Sequence, residues 1–244
     1  VATGGTTSTT AVVPVPEIGE ICRRRRLWLH VDAAYGGSAA IVPEMRHVLA
    51  GCDRADSLVV NPHKWLFVPL DLSAFYCRQP ETLRRAFNVV PEVLRSAEET
   101  DPRAVNFNEY GVPLGRRFRA LKLWFVLRYF GRAGLIANIR EHLRLAREFA
   151  KRLAEHSDFE LMAPVLFSTV CFRFRPVGIG EGPLERLNRS LLDRINRSGK
   201  FFLSHTRVRE KFTLRLAVGN IRTTQAHLDQ AWDLLRITAR ELTL

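Results

Sequence analysis

The chain has 244 residues, 46% of them hydrophobic and 25% charged, which suffices for a real core in one large or two modest domains and excludes wholesale disorder. No apolar run reaches the roughly 18 residues of a membrane span, and the N-terminal stretch lacks the basic and apolar regions of a signal peptide. The excess of 37 Lys and Arg over 25 Asp and Glu gives a net charge of +12, which would suit nucleic acid or an anionic surface.

The basic residues are nevertheless spread through amphipathic segments rather than gathered in one block. The only pure run is RRRR at 23–26, between a predicted helix and a predicted strand. Because cations are favoured beside the free carbonyls at a helix C-terminus, we interpret this run as a solvated helix end rather than a nucleic-acid patch. Nucleic acid is therefore not an expected partner, although a non-catalytic basic binding fragment stays open as an alternative.

The four cysteines, Cys22, Cys52, Cys77 and Cys171, fit neither zinc-ligand nor disulfide spacing. We therefore expect no metal site and a reducing, cytoplasmic setting without membrane contact. The chain starts VATGGTTSTT, without methionine and with a turn rich in Gly and Thr. This start predicts a strand end inside a domain, and hence a fragment of a longer protein.

In chain order, the first 77 residues alternate helices with apolar strands, which predicts an α/β layer with a parallel or mixed sheet. The predicted elements are a helix over 16–26, a strand over 27–31, a short helix over 43–50, a strand over 57–60 and strand pieces across 66–77.

The next stretch, residues 91–113, is polar and poorly periodic, and a loop of this length inside a domain is usually a functional lid. A helix over 114–131 should follow, ending at Gly131, and then a second amphipathic helix over 134–156. The spacing of apolar residues in the first helix predicts a buried face made of Leu114, Phe118, Leu121 and Phe125.

The remaining pattern predicts a small α+β unit. Its elements are a one-sided strand over 168–175, a helix over 183–198, strands over 200–204 and 212–218, and a helix over 223–242. We therefore divide the chain into part of a large domain, residues 1–115, and a linking helix with a small C-terminal domain, residues 116–244.

Lys64 is the first candidate for chemistry, because it lies in the apolar stretch SLVVNPHKWLFVPLD. A lysine held in apolar surroundings loses its charge more easily and becomes a nucleophile towards carbonyls. A snorkelling surface lysine is the ordinary alternative. The neighbouring His63 could equally be a structural histidine, and Asn61 before Pro62 is a common turn signal.

Asp32 is the second candidate, because it closes the apolar strand of LHVDAAYGG, where open α/β sheets bind ligands. The small residues after it leave room for a flat group, although a helix cap or turn is an ordinary role for such an Asp. Thr6 and Thr7 lie in a hydroxyl-rich turn. A strand-end Asp together with Lys64 fits pyridoxal phosphate, which needs a Schiff-base lysine and an acid at its pyridine nitrogen.

The segments HVDAAYGG, NPHKW and PLGRRFRALKLWFVLRYFG closely resemble the group II pyridoxal-phosphate-dependent decarboxylases, the aromatic-L-amino-acid decarboxylase family. The similarity continues through STVCFRFRP and KFTLRLAVGNIRTTQAHLDQAWDLL, and so covers most of the chain. It implies an α/β fold of the aspartate-aminotransferase-like type: part of the large mixed-sheet, cofactor-binding domain, followed by a small α+β domain. It also implies an amino acid substrate and a homodimer at full length.

The resemblance assigns roles residue by residue. Lys64 would carry the internal aldimine, with His63 beside it near the substrate. Asp32 would keep the pyridine nitrogen protonated, and Ala34 would pack on one ring face. The implied cofactor-binding set is Thr7, Asp32, Ala34, Asn61 and Lys64, with Asn61 at the phosphate.

Two departures from the family pattern bear on the reaction. The upstream half, which supplies the phosphate loop and much of the dimer interface, has no counterpart in this sequence. The family's lid usually carries a tyrosine implicated in protonating the product, where this chain has Val93; Tyr110 is a candidate substitute. The implied reaction is decarboxylation of an aromatic or related L-amino acid to its amine, and Val93 keeps an aldehyde-forming oxidative deamination open.

Overall fold

Two four-stranded sheets organise the chain in a computed structural model that describes residues 1–87 and 105–243. The strands are β1 (Ala2–Thr3), β2 (His30–Asp32), β3 (Ser57–Val60), β4 (Ala74–Cys77), β5 (Phe159–Leu161), β6 (Thr169–Phe174), β7 (Ser204–Val208) and β8 (Lys211–Ala217). The helices are α1 (Val15–Arg25), α2 (Pro62–Trp65), α3 (Pro80–Phe87), α4 (Arg119–Glu155), α5 (Glu181–Arg197) and α6 (Gln225–Glu241).

The first sheet is mixed, as predicted, and has the order β1-β2-β3-β4. Strands β1, β2 and β3 are parallel, and β4 runs antiparallel to β3. The register pairs Thr3 with Asp32 and Asp32 with Val59. Since parallel strands end at a common edge, the turns after β1, β2 and β3 meet there.

Several element boundaries in this sheet differ from the sequence-based prediction. The strand predicted over 27–31 covers only His30–Asp32, and the apolar stretch from 66 to 73 forms no strand before β4. The short helix predicted over 43–50 is a 3₁₀ helix at Pro43–Leu49. Apolar content alone marks buried chain and does not distinguish a strand from irregular backbone packed on the core.

The long helix α4 breaks where the sequence predicted a stop. Gly131 has φ 60° and ψ 174° inside the segment, so two helices meet at this residue. Its left-handed φ favours glycine. The buried positions of α4 all come after this break, beginning with Leu135 and Ile139, and Ile139 packs in one apolar cluster with Trp65 and Phe167.

The buried face predicted for the first part of this helix is wrong for the described chain. Leu114, Phe118, Leu121 and Phe125 are all exposed. Leu114 and Phe118 also precede the first helical residue, Arg119. A 3–4 spacing shows which side of a helix is apolar, but it does not show that a neighbouring element covers that side.

The second sheet has the order β5-β6-β8-β7 and is entirely antiparallel. Helices α4, α5 and α6 share one apolar core with it. The predicted one-sided alternation of β6 is wrong, because all six of its residues are buried in this central position. Its one charged side chain, Arg173, is compensated by Glu160 at 2.9 Å and by Glu181.

The predicted lid falls largely outside the described residues, which resume at Val105. The part that is described contains a 3₁₀ turn, Phe107–Tyr110. Glu109 is buried there and accepts a hydrogen bond from Arg84 Nε at 2.6 Å, which ties the turn to α3. Within the described ranges, none of the helices is both long and apolar enough to cross a membrane.

Gly36, in the turn after β2, sits where no side chain fits. A Cβ at this position would overlap the carbonyl oxygen of Gly4 and lie 2.8 Å from Phe167 Cζ. We expect Gly36→Ala to lower the free energy of unfolding by at least about 1–3 kcal/mol, the usual cost of overpacking. Urea unfolding of the purified protein measures this loss.

Gly182, in the first turn of α5, provides the matched control, because a Cβ there meets nothing within 4 Å. Gly182→Ala should leave stability unchanged or raise it, since alanine is the better helix former. Equal unfolding midpoints for the two variants would contradict the packing seen at Gly36.

Candidate active site

Three strand ends are tied together by backbone hydrogen bonds at one edge of the first sheet. Gly4 N donates to Asp32 O at 2.8 Å, and Ala33 N donates to Val59 O at 3.0 Å. Past the end of β3, Asn61 N donates to Ala34 O at 3.0 Å. The structure therefore brings the DAA and NPHK segments side by side.

The Asp32 carboxylate is fixed in place and keeps one oxygen available. Its Oδ1 accepts a hydrogen bond from Ala34 N at 3.0 Å, in the manner of an Asx turn. Its Oδ2 makes no hydrogen bond to any residue of the described part of the chain. The side chain is half-buried, and Ala34 beside it is 8% exposed. The result is a held anionic oxygen next to a small residue, which can face a flat cationic group.

Lys64 lies in the first turn after β3, where its backbone N–H donates to Asn61 O at 2.9 Å. The expectation that it is buried is wrong in this chain, where its side chain is exposed. In the one-turn helix α2 it is Pro62 and Trp65, three residues apart, that face the core. The backbone of Lys64 is therefore anchored through its neighbours, while its amine makes no hydrogen bond to any residue in the ranges 1–87 and 105–243.

His63 has a defined hydrogen-bonding state. The backbone N–H of Leu72 donates to His63 Nδ1 at 2.9 Å, so that nitrogen is an acceptor. The neutral imidazole then carries its proton on Nε2. The ring is half-buried and immediately precedes Lys64, so Nε2–H is the group it can offer to a ligand.

Asn61 and Thr7 complete the set of predicted binding residues. Asn61 Oδ1 is buried and has no hydrogen-bond partner among the described residues. Thr7 is exposed in the turn after β1, a turn closed by Thr6 N donating to Ala11 O at 2.9 Å. Buried polar atoms are normally paired, so the unsatisfied amide of Asn61 fits a polar ligand group at this edge.

Two stacked aromatic residues, Tyr35 and Trp65, connect the DAA and NPHK segments. Tyr35, directly after Ala34, stacks on Trp65 with ring centroids 4.9 Å apart and planes 5° apart. The Tyr35 hydroxyl lies 2.6 Å from Ser168 Oγ, and Trp65 Nε1 donates to His142 Nδ1 at 3.0 Å. Residues from α4 and the start of β6 therefore support the turns that carry Asp32 and Lys64.

These supporting residues were missed from the sequence. Tyr35 and Trp65 were visible inside the motifs HVDAAYGG and NPHKW, but an aromatic beside a turn is usually core. The available signal for His142 was its place on the apolar face of its helix, three residues after Ile139 and one before Leu143. A lone histidine on such a face does not reveal its partner.

Residues 1–175 match the family model described as the pyridoxal-dependent decarboxylase conserved domain. The chain belongs to this family. The match covers both candidate turns and continues through strands β5 and β6, so the sequence-based family assignment and the α/β fold are confirmed. The family's cofactor, a pyridoxal group, is the one that a strand-end Asp with a nearby Lys predicts.

Relatives in the decarboxylase family extend across the whole chain. Tryptophan decarboxylase 2 of Oryza sativa subsp. japonica is 44% identical over 241 residues, 99% of this chain and 48% of the relative. Phenylacetaldehyde synthase of Arabidopsis thaliana is 41% identical over 238 residues, 98% of this chain and 49% of the relative. The chain thus spans about half the length of the curated relatives it matches.

A solved family structure has the same fold. The crystal structure of Oryza sativa TDC with PLP and tryptamine superposes with a TM-score of 0.93 at 39% identity, covering 99% of this chain and 50% of that one. The residues present here fit the cofactor on their own geometry. They combine an accessible amine, a fixed carboxylate oxygen, a small side chain beside it and an unsatisfied buried amide.

Proposed function

We propose that this chain supplies the Schiff-base lysine and the pyridine-nitrogen acid of a pyridoxal-phosphate-dependent decarboxylase that acts on an aromatic L-amino acid. The observation that carries the proposal is the direct backbone hydrogen bond between Asn61 and Ala34. It sets the turn of Lys64 beside the turn of Asp32, within the two motifs that the family shares. The relative named tryptophan decarboxylase supports the aromatic substrate class.

Pyridoxal phosphate, when bound, supplies an electron sink for the bond that breaks at the substrate's Cα. The residues of this chain bind the cofactor and control the proton on its ring nitrogen. Lys64 Nζ would be the amine that holds the cofactor. Asp32 Oδ2 would hold a proton on the ring nitrogen, while Oδ1 accepts from Ala34 N and fixes the carboxylate.

The remaining site residues bind and orient. Ala34 offers a small surface on which a planar ring can lie. We assign the amide of Asn61 and the hydroxyl of Thr7 to the cofactor's polar groups, on the evidence of the unsatisfied Asn61 Oδ1. Because Leu72 N donates to His63 Nδ1, the neutral ring carries its proton on Nε2. His63 directly precedes Lys64, so this Nε2–H can donate to a substrate carboxylate or to the cofactor.

The finer features of the assembly are also proposals. We propose that the full-length protein is a cytoplasmic homodimer. We also propose that the boundary between its large and small domains lies near residue 115. The exposed apolar residues at the start of α4, among them Leu121, Trp124 and Phe125, support an association that covers this face. About half of each side chain is exposed in the described chain, and a contiguous apolar surface of this kind commonly marks an interaction site.

The attachment site is tested by trapping. The full-length protein is incubated with pyridoxal phosphate, reduced with borohydride, digested and mapped by mass spectrometry. We expect the pyridoxyl group on Lys64, and its loss in Lys64→Arg. Because an accessible amine reacts while a hydrogen-bonded one is held back, Lys122 should stay unlabelled; its Nζ donates to Pro69 O at 2.9 Å and Asp71 O at 2.8 Å.

Label on Lys122 or Lys151 in place of Lys64 would contradict the assignment. Lys122→Arg is the matched control and should retain full labelling. A protein without label at any lysine, but with salt-dependent binding to nucleic acid, would instead support the alternative of a basic binding fragment.

An aldehyde-forming reaction is the second candidate. Two observations favour it: Val93 stands where the resemblance places the lid tyrosine, and one of the relatives is named phenylacetaldehyde synthase. Valine has no proton to donate, so the fate of the substrate carbon depends on another acid.

A further inference from the structure

The backbone of the turn that follows Lys64 contains one residue in a strained conformation. Phe67, three residues further on, has φ 60°, which lies in the left-handed region. A bulky side chain is strained in that region, and the conformation persists only where the surroundings fix it. The conformation of the segment Lys64–Phe67 must therefore be stabilised by other residues, and its contacts show which ones.

His142 on α4 contacts this segment at two points. Its Nδ1 accepts the Trp65 Nε1 hydrogen bond at 3.0 Å, and its ring meets the ring of Phe67 edge-on, with centroids 5.5 Å apart and planes at 86°. His142 is 2% exposed and Trp65 fully buried. One imidazole thus contacts the residue directly after Lys64 and the strained residue two positions beyond it.

The hydrogen bond also fixes the protonation state of this imidazole. Because Nδ1 accepts from Trp65, the neutral ring has its proton on Nε2, on the side that leaves room for the backbone of Asn220 to act on the ring. Burial lowers the pKa of His142, opposed by the Asn220 bond and by the charge of Glu141. The ring is therefore kept neutral, which is the form that can accept the Trp65 proton.

We propose that His142 is a positioning residue that holds the turn of Lys64, acting through Trp65 and Phe67. The inference rests on the proposed attachment of the cofactor to Lys64. His142 does not approach the reacting atoms in this arrangement; it fixes the backbone from which the Lys64 amine projects. Position matters here because the Lys64 side chain is exposed, so the backbone that carries it sets where the amine lies.

Simple packing is the competing explanation, since any buried residue stabilises the core around it. The two roles separate in a set of variants of the full-length protein. His142→Gln keeps an acceptor for Trp65 Nε1, His142→Leu keeps the apolar volume but no acceptor, and Trp65→Phe removes the donor. The double variant Trp65→Phe/His142→Leu completes the cycle.

The main measurement is the rate at which pyridoxal phosphate becomes attached to Lys64, trapped with borohydride and quantified on the Lys64 peptide. We expect His142→Leu and Trp65→Phe each to slow attachment by about tenfold, because an unsatisfied buried polar group disturbs the turn. His142→Gln should stay within about threefold of the unchanged protein. The double variant should be no slower than either single one.

A second measurement is the pH profile of the same attachment rate. Protonated His142 cannot accept from Trp65, so on the acid side the unchanged protein should lose attachment rate in addition to any loss that all the variants share. Glu141 is the charged group that acts on this ring. His142→Gln should lack that extra loss, whereas a packing role leaves the two profiles parallel.

Attachment in His142→Leu at the rate of the unchanged protein would overturn the proposal while the role of Lys64 stands. Failure of the unchanged protein to label Lys64 would instead overturn the proposed function. If His142→Leu does not fold, the comparison of Trp65→Phe with His142→Gln takes its place. Equal attachment rates in these two variants, together with pH profiles parallel to that of the unchanged protein, would refute the positioning role.

Discussion

Replacing Asp32 with asparagine in the full-length protein is expected to lower the decarboxylation rate by about 10²–10⁴-fold, with a smaller effect on the protein's stability. The size follows from the loss of one partner of a partly buried ion pair, about 3–5 kcal/mol, at about 1.4 kcal/mol for each factor of ten in rate. Asparagine can still accept the Ala34 hydrogen bond through Oδ1, so the turn itself should survive.

The reason for the loss is electrostatic. A carboxylate at Oδ2 would stabilise a positive charge on the cofactor's ring nitrogen, and a neutral amide would not. The Asp32→Asn site would therefore stabilise the electrons left at the substrate's Cα less well. Decarboxylation measured as CO₂ release should therefore fall mainly in kcat, while trapping of pyridoxal phosphate on Lys64 remains detectable.

Asp56 offers a matched control for this experiment. Its Oδ2 accepts a backbone hydrogen bond from Leu29 N at 2.7 Å, so it is also a half-buried carboxylate that binds a backbone N–H, here from a residue 27 positions away. It precedes β3, however, and so lies at the opposite end of the sheet from Asp32, which ends β2. Asp56→Asn should leave kcat within about threefold, because asparagine can still accept the Leu29 hydrogen bond and the residue lies away from the site. Equal losses in the two variants would assign the effect of Asp32 to folding.

The candidate site was predictable from the sequence to the extent that its residues lie in continuous motifs. Asp32 closes an apolar strand and Lys64 follows the next one, and parallel strands bring such ends together. The mixed first sheet followed from the same alternation of helices and strands. What joins the two turns, the Asn61–Ala34 bond and the Tyr35–Trp65 stack, is a consequence of register and was not readable in advance.

The contacts made over long sequence distances were beyond the sequence for a physical reason. His142 lies 77 residues from Trp65, and nothing in the amphipathic pattern of α4 specifies which side chain meets it. The same limit explains the errors. An apolar spacing predicted burial for Leu121 and Phe125, and an apolar neighbourhood predicted it for Lys64, but burial depends on what covers a surface.

Replacing Val93 with tyrosine is expected to have the second large effect, on the nature of the product. After CO₂ leaves, a proton must be returned to the substrate's Cα, and a positioned general acid contributes about 10²–10⁴-fold to such a step. The resemblance places a tyrosine at the position of Val93, which lies outside the described residues. Unless His63 Nε2–H or Tyr110 replaces that donor, the protein should form amine slowly.

Val93→Tyr should therefore raise the rate of amine formation and lower the share of aldehyde and peroxide, which form when O₂ reaches the unprotonated carbon before a proton does. All three products are followed in one reaction of the full-length protein with tryptophan or phenylalanine. Val90→Tyr, the same change three residues upstream, controls for an added phenol in this segment and should leave the product ratio as it was. Equal amine rates in all three proteins, with no aldehyde from any of them, would show that Val93 has no part in protonation. The protein would then be a simple decarboxylase whose general acid is another residue, and His63 would be the first one to test.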